Sequence, residues 1–283
     1  MIQVIQTGAT ISFQDQGRTH PNSWLEFGVP PAGSIDPYSA KQANLLAHNL
    51  CNDTLLEVML GGALIEVLND CYLAHVGTLR CEALPPHCGG WFRAGSSIHF
   101  TPNKDGAWSY LAVTGGWAAA QQFGSSSYHQ RSNVGQEIKA GDTIHVANPS
   151  PNLNKLPRRT PVADQRDHTS PPSIRIFPGP HRQLFSDQAW NALKDIPWRI
   201  SARSDRSGYR LESESSPLQH SLSIHSTPTL TGSVQVLSTG QLITTLNDGP
   251  TVGGYPIIAR IHPDDIGWLT QRHAHTQITF NHA

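Results

Sequence analysis

The sequence predicts a mainly β protein, built as a barrel or a sandwich, and three observations carry the prediction. Short apolar runs recur through the first half, at 55–59, 63–68, 72–76, 97–100 and 108–113. Turn signals fall between them: Gly61-Gly62, Asn69-Asp70, Pro85-Pro86, Gly89-Gly90 and Asn103-Lys104-Asp105-Gly106. Such regular alternation of strand and turn is the pattern of closed or stacked sheets. The chain also carries 24 Gly and 21 Pro, which suits many turns and disfavours long helices.

A length of 283 residues exceeds one small core and suggests one large or two medium domains. Residues 148–172 are polar and proline-rich, too much so to pack, and form the linker candidate. The expected division is therefore 1–150 and 173–283, joined by a linker at 151–172. Hydrophobic content of 37% suffices for a water-soluble core. A formal net charge of -1 gives no electrostatic reason to bind nucleic acid or an anionic membrane surface. No run approaches the ~20 apolar residues of a membrane span. The start, Met1-Ile2-Gln3-Val4-Ile5-Gln6, lacks the basic, then apolar, character of a signal peptide. The expected location is the cytoplasm.

The 15 His are dispersed. Neither His20 nor His273-Ala274-His275 has a Cys pair or Glu at zinc-like spacing, so no metal site is expected. Cys51, Cys71, Cys81 and Cys88 show no metal-knuckle or redox gap. Their clustering would permit a disulfide; reduced, half-buried thiols are the expectation.

In chain order, 2–13 reads as strand on Ile2, Val4, Ala9, Ile11 and Phe13, followed by the polar turn Gln14-Asp15-Gln16-Gly17-Arg18. Asp36-Pro37 opens a helix, Asp as N-cap and Pro at the first helical position. Its apolar stripe is Ala40, Ala43, Leu46, Ala47 and Leu50, and Asn49 marks its end. The run 108–113 closes on Thr114-Gly115-Gly116, where glycines let the backbone approach a ligand or another strand. Gly124-Ser125-Ser126-Ser127 is a serine-rich loop, and Arg158-Arg159 reads as a solvated basic loop. The second half offers strands at 173–177, 221–225, 233–237, 242–247 and 257–261. A short helix starts at Ser186, with Phe185, Ala189, Trp190 and Leu193 on one side. A last helix opens at Asp264-Asp265 and runs to about Arg272, before a strand at 277–280.

Two loops are dense in chemistry. Ser204-Asp205-Arg206-Ser207-Gly208-Tyr209-Arg210-Leu211 presents two guanidiniums that can fork onto a carboxylate or phosphate. Asp205 could hold one Arg or act on a proton. By itself the loop reads equally well as a surface turn with a local salt bridge. Asp248-Gly249-Pro250-Thr251-Val252-Gly253-Gly254-Tyr255-Pro256 has paired glycines that can turn backbone N–H groups to an anion. The plainer reading is a wide hairpin loop with a tyrosine plug.

Together these stretches resemble the allophanate hydrolase subunit 2 family, also called the biotin-dependent carboxyltransferase-like family, which includes the C subunit of 5-oxoprolinase. The first loop resembles the family's Ser-Asp-Arg-x-Gly-Tyr-Arg-Leu, and the second its Asp-x-Gln-Thr-x-Gly-Gly-Tyr-Pro. Gln14 to Arg18 matches its Gln-Asp-x-Gly-Arg in full. Gly232-Ser233-Val234-Gln235-Val236 is similar to its Gly-x-Ile-Gln-Val. Departures are Ala32 for Ser, Ser34 for Ala, Ile35 for Met, His48 for a small residue, and Pro250 for Gln, which deletes a polar side chain and an N–H.

The resemblance implies two cyclophilin-like β-barrel domains with a ligand cleft between them. It implies one component of an ATP-dependent 5-oxoprolinase, which converts 5-oxoproline to L-glutamate. The B subunit of that enzyme shares the ATP-dependent activation of 5-oxoproline, and its A subunit completes hydrolysis. ATP with its Mg²⁺ is shared with the partner, and no Walker-type loop is present. The implied catalytic residues are Asp205, Arg206 and Asp248. Those implied to bind substrate or nucleotide are Asp15, Arg18, Asp36, Thr114, Ser204, Arg210, Thr251, Gly253, Gly254 and Tyr255. The two loops are expected to converge, with Asp15, Arg18 and Asp36, on one cleft. One alternative is carboxyl transfer from carboxybiotin to urea or a similar amide; with no biotinyl Met-Lys motif, the biotin would sit on another protein. The other is a non-catalytic antagonist of a kinase-inhibitor protein.

Overall fold

The computed structural model describes residues 1–19, 23–149, 157–215 and 217–283. His20 and the centre of the expected linker, 151–156, lie outside the described residues. Two compact units share the chain: Met1–Asn22 with Ala32–Thr169, and Ser23–Pro31 with Ser170–Ala283. Both are mainly β.

In the first unit, β1 (Ile2–Thr7), β2 (Thr10–Gln14), β3 (Leu55–Met59), β4 (Ala63–Val67), β5 (Cys71–Gly77), β6 (Cys88–Phe92), β7 (Ser97–His99), β8 (Trp108–Val113), β9 (Thr143–Ile144) and β10 (Arg158–Arg159) form two sheets. Their orders are β7-β4-β1-β9 and β10-β6-β5-β8-β3-β2. One core joins them: Ile2, Val4, Ile65 and Val67 from the first sheet meet Phe13, Leu56, Leu73 and Leu111 from the second. β5 and β8 are buried along their whole length because α1 (Pro37–Leu46) covers their outer face. Their near-continuous apolar character follows from having both faces covered.

α1 begins as expected, with the Asp36 carboxylate accepting from Ser39 N at 3.2 Å and Pro37 in the first turn. It stops at Leu46, earlier than the apolar stripe suggested, and Leu50 is 77% exposed. The cause is His48, which sits at φ 61°, where glycine is at ease. Gly89-Gly90 is a second correction. These residues lie inside β6 rather than in a turn. A Cβ at Gly89 would stand 2.9 Å from the Tyr72 hydroxyl, so the glycine makes room for that ring. The question left open at Gly115 has a plain answer: a Cβ there would lie 2.0 Å from the Asn148 carbonyl, so the close neighbour is backbone.

The second unit contains β11 (Ile174–Pro178), β12 (Trp198–Ile200), β13 (Gly208–Glu212), β14 (Thr227–Pro228), β15 (Ser233–Val236), β16 (Leu242–Thr245), β17 (Val252–Gly253), β18 (Ile257–Ile261), β19 (Gln277–Ile278) and β20 (Phe280–His282). Eight of them form one sheet, ordered β19-β12-β13-β16-β15-β18-β11-β20. Its two edge strands are separated in sequence by Thr279 alone, so the edges return to one another and the sheet is nearly a closed barrel. β14 and β17 make a separate two-stranded ribbon. The expected strand at 221–225 is absent; these residues are mostly exposed and find no ladder partner. Ser186 caps α2 (Asp187–Asp195) as expected, and α3 (Ile266–Thr270) follows a short 3-10 turn. Among the described residues no helix is long and apolar enough to cross a membrane. The four cysteines are unpaired.

His75 on β5 is a buried base with a measurable signature. Its Nδ1 lies 2.8 Å from the Leu84 carbonyl and its Nε2 2.9 Å from Ser109 Oγ. Burial pushes its pKa down to about 4, against the opposing pull of the Leu84 bond. The folded state therefore resists a proton that the unfolded state accepts. Stability from this group is complete above pH 6.5 and falls as pH drops toward 4, by about 3 kcal/mol in all. Urea melts across that window should show the loss, and His75→Asn should flatten it; an unchanged slope in the variant would remove His75 as the source.

Candidate functional site

In the second unit the two chemically dense loops meet. β13 starts at Gly208 and β16 ends at Thr245, paired in register, so the loops leave adjacent strands side by side. Arg206 Nε donates to Asp248 Oδ2 at 2.8 Å and Nη2 to Oδ1 at 3.1 Å, a bidentate pair. The side chains are 14% and 6% exposed. Backbone bonds run in parallel, from Asp248 N to Arg206 O at 3.1 Å and from Leu246 N to Ser207 O at 3.0 Å. Gly249 is obligatory at this crossing: a Cβ there would lie 2.6 Å from the Ser207 carbonyl.

The other polar residues of the first loop shape it. Asp205 Oδ1 accepts from Ser207 N at 2.8 Å and Gly208 N at 3.3 Å, an Asx turn. Ser204 Oγ accepts from Arg210 N at 3.0 Å. Tyr209 is buried, its hydroxyl donating to Thr270 O at 2.8 Å. In the second loop, the Pro250 carbonyl accepts from Thr229 Oγ1, and Thr251 O from Thr229 N at 2.9 Å. Val252 and Gly253 pair with Pro228 and Thr227. Thr251 is half-buried, while Gly254 and Tyr255 are exposed.

Asp15, Arg18, Asp36 and Thr114 belong to the first unit. Asp15 Oδ1 accepts from Gly17 N at 2.7 Å, Ser125 Oγ at 2.7 Å and Ser127 Oγ at 2.6 Å. Its Oδ2 accepts from Ser126 N at 2.9 Å and Ser126 Oγ at 3.1 Å. A carboxylate offers about four lone-pair positions, so this one is committed to holding the serine loop. Arg18 is buried and donates to the carbonyls of Gln122 at 3.2 Å and Ser127 at 2.8 Å. Asp36, besides capping α1, lies 3.9 Å from Arg166, whose guanidinium stacks 4.1 Å over the Tyr38 ring. Asp36 N donates to Tyr110 Oη at 2.7 Å, and that hydroxyl donates to Glu57 Oε2 at 2.9 Å. Burial, then the charges of Glu57 and Asp36, holds the Tyr110 hydroxyl well above its ordinary range and keeps it a donor. Thr114 Oγ1 donates to Ala47 O at 2.8 Å, tying β8 to the end of α1.

Glu57, Tyr110 and Arg166 were missed by sequence reasoning, since each is an isolated residue in an apolar or proline-rich stretch. Thr229 and Thr245 were missed for the same reason. Gln235 had a signal, its place in a matched motif.

Set beside known proteins, residues 27–282 match the family described as carboxyltransferase domain, subdomain A and B. The C subunit of 5-oxoprolinase from Escherichia coli strain K12 is 30% identical over 282 residues, covering 96% of this chain and 87% of that protein. Urea amidolyase of Saccharomyces cerevisiae is 29% identical over 228 residues, covering 74% of this chain but 12% of that protein. The solved structure of TTHA0988 superposes with a TM-score of 0.86 at 29% identity. It takes in 99% of this chain, which spans 56% of that longer one.

The burial of Arg206 and Asp248 revises what their substitution costs. Exposed loop charges contribute at most about 1 kcal/mol. Removing one partner of a buried pair strands the other and costs about 3–5 kcal/mol, whereas replacing both with apolar residues is close to neutral. Urea unfolding of Asp248→Ala, Arg206→Ala and the double variant Arg206→Met/Asp248→Leu should show two large losses and one small one. Two single losses under about 1 kcal/mol would mean that water reaches the pair.

Proposed function

Because the chain belongs to the carboxyltransferase domain family, subdomains A and B, we propose that it is the C-type component of an ATP-dependent 5-oxoprolinase. On this reading it acts with the B subunit to activate 5-oxoproline, and the A subunit completes conversion to L-glutamate. The observation that carries the reading is the likeness to the C subunit of the Escherichia coli 5-oxoprolinase, which runs nearly end to end in both chains. The setting is cytoplasmic.

The chemistry asks for help at one atom. A lactam carbonyl is stabilised by amide resonance, and activating it places new charge on its oxygen. A cation already fixed in place stabilises such charge without reorganising. Arg206, locked by Asp248, has that property, and Arg210 emerges two residues into the adjoining strand. The arc 251–255 follows Asp248 in the same loop and is held by Thr227–Thr229. Asp205 orders the turn that carries Arg206 rather than presenting a loose base.

Magnesium fits less well. Among the described residues no group of three His, Cys, Asp or Glu is placed to hold a metal, and both Asp248 oxygens are engaged by Arg206. On this reading ATP with its Mg²⁺ is held chiefly by the partner protein. Carboxyl transfer to urea or a similar amide is the second reading, favoured by the family description and the urea amidolyase match.

The deciding experiment is reconstitution. The chain mixed with the A and B components should support ATP hydrolysis that depends on 5-oxoproline, and the chain alone should support none. Consumption of urea dependent on carboxybiotin, without 5-oxoproline turnover, would transfer the assignment to the second reading. Within the complex, Arg206→Lys keeps the charge but loses the fork. It should lower kcat per folded molecule by at least tenfold, with a smaller loss of melting temperature than Arg206→Ala because the charge is kept.

A further inference from the structure

One buried amide beneath the glycine arc is not accounted for by packing. Gln235 lies on β15, opposite Ile243 of β16 and Ile257 of β18, beside a bulge at Val234. It is 4% exposed. Its Nε2 donates to Thr245 Oγ1 at 2.8 Å, and Thr245 is itself buried. That bond turns the other end of the amide, Oε1, toward the loop 248–256. No described residue donates a hydrogen bond to Oε1.

What packs against Oε1 is a glycine. A Cβ at Gly253 would stand 2.6 Å from this oxygen. Backbone strain does not call for glycine here, since Gly253 does not occupy the left-handed region. At Gly254 a Cβ would meet nothing closer than Ser226 Oγ at 3.8 Å. Gly253 is thus glycine because a side chain would collide with this oxygen, Gly254 beside it borders open space, and next to them stands a carbonyl-type acceptor with its orientation pinned. Gln235 as a whole is nearly buried, yet its Oε1 has no donor among the described residues, so its lone pairs are left for a donor that a ligand supplies.

We propose that Gln235 contacts the ligand, its Oε1 accepting the N–H that a lactam or a primary amide carries beside its carbonyl. Resting on the function proposed above, this deepens the same site: Arg206 faces developing charge, and Gln235 reads the nitrogen. The chemistry is common to 5-oxoproline and urea, so the test must separate them. It also sets a specificity, because a site built around a substrate N–H rejects an analogue that lacks one.

The experiment pairs a change in the protein with a change in the ligand. Wild-type, Gln235→Met, Thr245→Val and Thr245→Ser chains are reconstituted with their partner proteins. Each is titrated with 5-oxoproline, with its ring-oxygen lactone analogue as competitor, and with urea. The wild-type complex should bind the lactam roughly ten- to hundredfold more tightly than the lactone, the effect of one buried hydrogen bond. Gln235→Met should erase that preference by weakening the lactam alone. Thr245→Val, which unpins the amide, should reduce it, and Thr245→Ser should restore it. Equal weakening of lactam and lactone would overturn the proposal, because a structural prop affects both alike. Should 5-oxoproline fail in the wild-type complex while urea binds with the same dependence on Gln235, the oxoprolinase reading falls and the contact stands. Turnover of 5-oxoproline that is indifferent to Gln235 removes the contact and leaves the oxoprolinase reading intact.

Discussion

Arg206 and Asp248 meet through two hydrogen bonds in a place largely screened from solvent. Each charge would be severely penalised there alone, so each tethers the loop of the other. The rest of the second unit's candidate site follows from that requirement. Gly249 lacks a side chain because the two backbones must cross closely enough for the pair to form. Asp205 and Ser204 hold the turn that aims Arg206, and Thr229 holds the far side of the arc at Pro250 and Thr251. The first unit solves a similar problem with neutral partners. There a single carboxylate, Asp15, gathers three consecutive serines and a glycine N–H, so its charge is met by dipoles.

The β class was legible because turn and strand signals are local, and α1 was legible at its start for the same reason. Its end was not. His48 occupies a backbone position that a glycine would have announced, and no side-chain pattern betrays a positive φ. Gly89-Gly90 misled in the opposite sense, since a glycine that clears space for Tyr72 and a glycine that turns the chain look the same in sequence. The run 221–225 alternates like a strand, but nothing in it tells that no partner lies alongside.

The candidate site divided along the same line. Arg206 and Asp248 stood out by their company of glycine and charge, although the bond between them spans 42 residues. Asp15 and its serines are separated by 110 to 112 residues, and only the fold reveals that the carboxylate serves the loop. Gln235 was visible as part of a motif, yet its meaning depends on a glycine in another strand. Sequence shows which chemistry is present; tertiary structure decides whether a polar group faces a neighbour or is left for something else.

The near-closure of the second barrel bears on how this unit comes into being. β20 pairs in parallel with β11, the first strand of the sheet to be made, and β19 pairs with β12. The seam is therefore sealed by the last of the unit's strands to leave the ribosome. Until 277–282 emerge, β11 and β12 each wait with an unpaired edge, and the loop closure that pairs them is long-range. Folding dominated by such contacts is slow and exposes strand edges to aggregation. A nascent chain of this unit accordingly carries two open strand edges until its final strands arrive, however stable the finished barrel becomes.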